Sequence, residues 1–164
     1  MDEIKEIFQM MAYERMEEAV QRGIKYFQLK FSIDGMELVV PAQSPIWKVD
    51  AADRLYFYSV AGVYYHYLGV QAYAGAFFKE ICQHTKDLPI QWEYYSKYLM
   101  QCHYLFISQN RYFQVHQDYN KLFKDIWQFN HNKQLHKQHR KIRIGYLSAD
   151  FNSCVLVDFI RVLT

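Results

Sequence analysis

Lys141-Ile142-Arg143-Ile144-Gly145-Tyr146-Leu147-Ser148-Ala149-Asp150-Phe151 is the stretch whose reading decides this chain. It reads as a short strand breaking into a turn. The apolar run from Val155 to Leu163 behind it reads as a helix. Everything upstream carries helical spacing and is rich in Tyr and Phe, so the chain changes character here. Parallel strands need a helical crossover between them, and a strand-turn-helix is how a parallel α/β domain opens. The expected architecture is mainly α, built of antiparallel helix pairs, with a truncated α/β strand-turn-helix start over 142–164. The expected limits are a helical domain at 1–129, a basic linker at 130–141, and the opening of a second domain at 142–164.

Composition bounds the rest. Hydrophobic residues make up 51% of the 164, enough for a core. The aromatic share of 18%, with 15 Tyr and 12 Phe, exceeds what a generic domain needs. Tyr joins a wide apolar ring to a polar tip, which suits helix pairs whose grooves stay half wet. A formal charge of +2 is weak beside the clustered basicity of nucleic-acid domains, so no nucleic-acid partner is expected. Cys82, Cys102 and Cys154 are odd in number and widely spaced, which favours reduced thiols over a disulfide framework or a zinc site. A cytoplasmic location follows as the expectation. The acidic start Met1-Asp2-Glu3 is no signal peptide, and no apolar run approaches a membrane span.

Working back toward the start, Ile4, Ile7, Phe8, Met11, Ala19 and Val20 form a stripe opposite Glu6, Glu14, Glu17 and Glu18. This predicts one helix over 2–22, stopped by Gly23. Residues 24–40 carry two patterns. Phe27, Leu29, Phe31 and Ile33 alternate and Asp34-Gly35 offers a hairpin turn, yet Val20, Ile24, Phe27 and Phe31 also continue a helical stripe. Four helices are then expected, at about 50–67, 70–84, 91–109 and 111–129, with Asp50 or Asp53 capping the first. Gly69, Asp87-Leu88-Pro89 and Asn110 separate them.

Phe57, Val60, Ala61, Tyr64, Ala74, Phe78 and Ile81 fall close to the slots of a tetratricopeptide repeat. So do Leu99, Cys102, His103, Phe106, Tyr112, Val115, Tyr119 and Leu122. Small residues let antiparallel helices approach while aromatics fill the groove against the next pair. The second unit begins about 41 residues after the first against ~34 in a standard repeat, so a plain helical bundle stands as the alternative. His103 and His116 read as packed or hydrogen-bonded repeat residues rather than ligands. The cluster from His131 to Lys141 reads as a solvated linker, since His136 and His139 have no third metal ligand nearby.

Tyr95-Ser96-Lys97-Tyr98-Leu99, Tyr112 to His116, Tyr119 to Phe123 and the string from Lys141 to Phe151 together resemble bacterial proteins of the O-linked N-acetylglucosamine transferase family. There, tetratricopeptide-like helices precede a two-lobed glycosyltransferase. The string Arg143-Ile144-Gly145-Tyr146-Leu147-Ser148-Ala149-Asp150-Phe151 is similar to the first strand and turn of its amino-terminal lobe. The resemblance implies transfer from a nucleotide sugar to Ser or Thr hydroxyls, with a uridine-diphosphate-sugar as donor. It implies an acceptor protein or peptide held by the helical repeats. Most of the donor-binding fold would lie beyond Thr164, so the chain is expected to be an inactive amino-terminal fragment holding no cofactor of its own.

After Asp-Phe the family pattern carries two residues and then a His facing the cleft. Here Asn152 and Ser153 are followed by Cys154. Cys154 and Asp150 are therefore the candidate catalytic positions that the resemblance implies. A neutral imidazole accepts a proton near pH 7, whereas a thiol of pKa near ~8.5 is a poor base there. Cys154 also reads as a small apolar residue opening a helix, and Asp150 as a helix cap. A stand-alone protein-interaction module is the reading from a different class, since grooves between stacked helices take extended peptides.

Overall fold

Phe57, Tyr58 and Phe77 meet with all three rings fully buried, and the helices that carry them set the frame. The computed structural model describes residues 3–13 and 15–125. The chain divides into two units after Ile126, and the described residues all belong to the first. The expected basic linker, the strand-turn-helix over 142–164, Cys154 and Asp150 lie outside the described residues.

The described part is mainly α, as expected, and its helices pack in pairs. They are α1 (Glu3–Ala12), α2 (Met16–Tyr26), α3 (Ala51–Tyr67), α4 (Gln71–His84), α5 (Leu88–Cys102) and α6 (Gln109–Lys121). A hairpin, β1 (Lys30–Phe31) with β2 (Leu38–Val39), and one 3-10 turn at Pro45–Lys48 fill the passage from α2 to α3. The strands are antiparallel, with Lys30 opposite Val39 and Phe31 opposite Leu38.

The single helix expected over 2–22 is two helices, α1 and α2, and Gly23 does not end the second. Gly23 is buried inside α2, where a Cβ would stand 2.3 Å from the Phe57 ring. Its lack of a side chain admits the aromatic ring of α3. A residue that looks like a stop in sequence is here a contact. Arg22 ties the two helices together, its guanidinium hydrogen-bonding Glu3 at 2.6 Å and also Glu6. The Glu3 carboxyl is accordingly held below its ordinary value, chiefly by the hydrogen bond from Arg22.

Residues 24–40 divide between both patterns. The helical stripe holds as far as Tyr26, and the hairpin then forms with Asp34-Gly35 in its turn. Asp50 caps α3, its side chain accepting from the Ala52 amide at 2.9 Å. Gly69, at φ +75, breaks the chain before α4. Asp87 caps α5 by accepting from the Ile90 amide, so Leu88 and Pro89 open that helix rather than forming a loop. Proline is tolerated in a first turn, where its missing N–H has no helical partner to lose.

α5 ends at Cys102, well short of Gln109, because Ser108 caps α6 through the Arg111 amide and leaves residues 103–107 as a connection. Phe106, expected on the buried stripe of α5, is consequently fully exposed. α6 begins at Gln109, so Asn110 sits within its first turn.

The core is aromatic. Phe77 lies between the rings of Phe57, Tyr58 and Tyr65, with centroids 6.4, 5.9 and 6.0 Å away. Each large ring removed from water contributes about 1.5–3 kcal/mol, and such pairs add about 0.5–1.5 kcal/mol. Ala61 and Ala74 are fully buried, as a close helix pair requires, and Gly62 admits the Phe78 ring of α4 against α3. A Cβ on Gly62 would meet Phe78 at 2.4 Å. Phe31 carries the hairpin onto this core, stacked on Tyr73 at 3.7 Å with the rings nearly parallel. The hairpin is thereby fixed beside α4, which positions the site.

Candidate functional site

The turn of the hairpin is built by one side chain. Asp34 Oδ1 accepts from the Ser32 hydroxyl at 2.6 Å and from the Met36 amide at 3.1 Å. Gly35 follows at φ +71, a left-handed conformation that glycine adopts without strain, and a Cβ there would meet the Tyr73 ring at 2.8 Å. The base of the turn is sealed by buried Met36 and Leu38. This leaves the side chains of Ile33, Asp34 and Glu37 pointing out of the core, with Ile33 fully exposed.

The outward side chains form one wall of a groove of about 1010 Å³. α4 contributes Lys79 and Cys82, α5 contributes Tyr95 and Tyr98, and α6 contributes Arg111, Gln114 and Val115. Two ion pairs join the turn to the helices. Arg111 Nη1 donates to Asp34 Oδ2 at 3.2 Å, and Lys79 Nζ donates to Glu37 Oε1 at 3.0 Å. At the other side Asp118 accepts from Lys121 at 2.6 Å and from Gln114 at 3.1 Å. The groove therefore mixes both signs over an aromatic floor.

Its ionisable groups are tuned by these contacts. The Asp34 carboxyl is held down to about 2 by the Ser32 hydroxyl first, then the Met36 amide, with Arg111 adding to both. The Lys121 ammonium lowers Asp118. Burial pushes the Cys82 thiol up to about 12 and raises the Tyr95 and Tyr98 phenols. Near pH 7 these groups are protonated, so Cys82 is neither a thiolate nucleophile nor a base. Tyr95 uses its hydroxyl on the Val115 carbonyl at 3.2 Å, which holds α5 against α6. The groove thus presents hydrogen-bond donors and acceptors carried by the hairpin turn and by α4, α5 and α6.

The chain matches no family model, no curated protein and no solved structure.

Of the residues singled out in the sequence, Cys102 is buried beside the groove floor, and burial raises its thiol. Cys82 and Cys102 are both free thiols. His103 and His116 come together on one side of α6. Tyr112 Oη lies 2.6 Å from His103 Nδ1, and the His116 ring sits 4.7 Å from that of Tyr112. Among the described residues no group of three or more metal-ligating side chains gathers. No described helix is long and apolar enough to cross a membrane.

Sequence reasoning passed over Asp34, Glu37, Lys79 and Arg111. Asp34-Gly35 was visible as a turn signal. Its pairing with Arg111, 77 positions away, has no local signature.

Proposed function

We propose that the helical unit is a protein-interaction module whose groove receives an extended segment of a partner protein. Support comes from the groove itself, open along α5 and α6, floored by Tyr98 and Val115 and walled by polar side chains on fixed elements. Extended peptides suit such a surface because pockets read alternate side chains while polar walls meet the backbone. The helices packed in succession from α1 to α6 supply the frame that holds it.

The resemblance of the string Arg143 to Phe151 to a glycosyltransferase lobe supports a transferase setting for the module. In that setting the partner is the acceptor protein, and the reaction is transfer from a uridine-diphosphate-sugar to a Ser or Thr hydroxyl in the cytoplasm. The helical unit then contributes positioning, which raises the effective concentration of the acceptor hydroxyl at the donor. A module working on its own uses the same groove.

The module is tested by selecting a displayed library of random dodecapeptides against the chain. Selected peptides are then measured against Gln114→Trp, which fills the groove from an exposed position. Groove-dependent binding, with an unchanged circular-dichroism melt for the variant, is expected. Selection of nothing, or of peptides indifferent to Gln114→Trp, overturns the reading. The transferase setting is tested separately by calorimetry of the protein as the cell makes it with uridine-diphosphate-N-acetylglucosamine, where silence removes that setting and leaves the module.

A further inference from the structure

We propose that the groove selects an acidic peptide, and that the hairpin turn at residues 32–37 stands in for that peptide while the groove is empty. The inference rests on the peptide-binding reading above and names the class of peptide.

Two cations, Lys79 and Arg111, project into the groove from α4 and α6. Each is neutralised by a carboxylate from the same short turn, Glu37 for Lys79 and Asp34 for Arg111. The turn thus presents two acidic side chains three positions apart to two cations held on separate helices. That is what an acidic peptide lying in the groove does. Arg111, which lines the groove, reaches Asp34 through Nη1, which leaves further N–H donors of its planar fork, and a guanidinium is well matched to a second carboxylate. Lys79 likewise has donors beyond the one given to Glu37.

Exchange between turn and ligand requires little rearrangement. The Asp34 and Glu37 side chains are half exposed or more, at 50% and 57%, and exposed pairs of this kind are weak. The backbone beneath them is anchored by Phe31 on Tyr73 and by buried Met36 and Leu38. A ligand carboxylate therefore displaces two side-chain contacts and leaves the hairpin in place. Fully exposed Ile33, at the tip, offers an apolar contact to the incoming chain. A polyanion such as RNA is a poorer fit, because a continuous line of phosphates calls for a run of cations and the groove lining carries two, Lys79 and Arg111.

The test uses the dodecapeptides selected from the random library, labelled with fluorescein, on three forms of the full chain. Peptides enriched in Asp and Glu are expected, and Lys79→Ala/Arg111→Ala should weaken them about tenfold or more. Asp34→Asn/Glu37→Gln keeps the oxygens that accept the turn hydrogen bonds and removes the competing charges. It should tighten acidic peptides about two- to tenfold, the range expected from releasing two exposed pairs. Circular-dichroism melts confirm that each variant folds. Groove-dependent peptides with no acidic enrichment overturn the inference and leave the module standing, as does weaker binding to Asp34→Asn/Glu37→Gln. Failure to select any groove-dependent peptide overturns both. Oligouridylate binding to the wild type but not to Lys79→Ala/Arg111→Ala, in place of peptide, also overturns the inference.

Discussion

Arg111 Nη1 reaches Asp34 Oδ2 at 3.2 Å, so a residue in the first turn of α6 is joined to the tip of a hairpin 77 positions earlier. The pair links the hairpin wall of the groove to its α6 wall. It also makes Asp34 do two tasks, building its own turn through Oδ1 and spanning the groove through Oδ2.

The pH dependence of this contact has a definite sign. Asp34 has an ordinary value of 3.8 and is held down to about 2 in the fold, so the folded state favours the carboxylate. Its contribution is fully present above the unfolded value and is lost as pH falls through about 2. The stability difference between wild type and Asp34→Asn should hold level from neutral pH to about 5 and shrink steadily between there and about 2. Urea denaturation at a series of pH values measures it. A difference that does not change with pH contradicts the assignment.

Glu80 shows the opposite sign. Its side chain is largely buried at 13% exposure, and burial raises its carboxyl above the ordinary 4.5, partly countered by His84. The fold therefore favours the protonated form, and the ionised side chain lowers stability increasingly as pH rises through the raised value. Glu80→Gln should stabilise the protein at pH 7 and lose that advantage below about pH 4. Thermal melts at the two pH values decide it, and an advantage confined to acid pH rules it out.

The core depends on Phe77. It is fully buried and touches the rings of Phe31, Phe57, Tyr58 and Tyr65. Truncation to alanine removes the apolar surface and leaves a cavity among stiff rings, with an expected loss of about 3–5 kcal/mol. For a unit of this size that lowers the melting temperature by roughly 10 °C or more. A shift of about 2 °C would show that the site collapses or that the packing is loose.

Gly23 gives a sharper test, because helix propensity and packing pull in opposite directions there. In an open place inside a helix such as α2, replacement of glycine by alanine gains about 1 kcal/mol of helix propensity. As the contact for Phe57, a new Cβ at 2.3 Å from a fully buried ring cannot be accommodated without moving the core, and overpacking costs about 1–3 kcal/mol. Gly23→Ala should therefore lower the melting temperature, and a rise would show that the Phe57 ring yields to the new Cβ.

That glycine also shows where sequence reading reaches and where it ends. The stripes of α3 and α4 were legible because Phe57, Ala61, Ala74, Phe78 and Ile81 recur at helical spacing and are all buried. Gly69 and Asp50 were legible because a left-handed break and a helix cap are local events. Gly23 and Phe106 were not. The first is decided by a ring from another helix, and the second by Ser108, which captures the start of α6 and ends α5 early. The groove was less legible still, since it arises only when a hairpin turn lands beside α6. The repeat-like pattern pointed to a groove between helices and gave no hint that a hairpin would form one of its walls.

The most direct measurement of the central claim is an amide and side-chain NMR titration of the labelled chain with the tightest selected dodecapeptide. The account predicts shifts concentrated on Ser32 to Glu37, Lys79, Tyr95, Arg111 and Gln114, including the Arg111 side-chain N–H signals. Shifts confined to exposed Tyr104, Phe106 and Phe113, with the turn and Arg111 unmoved, would contradict it.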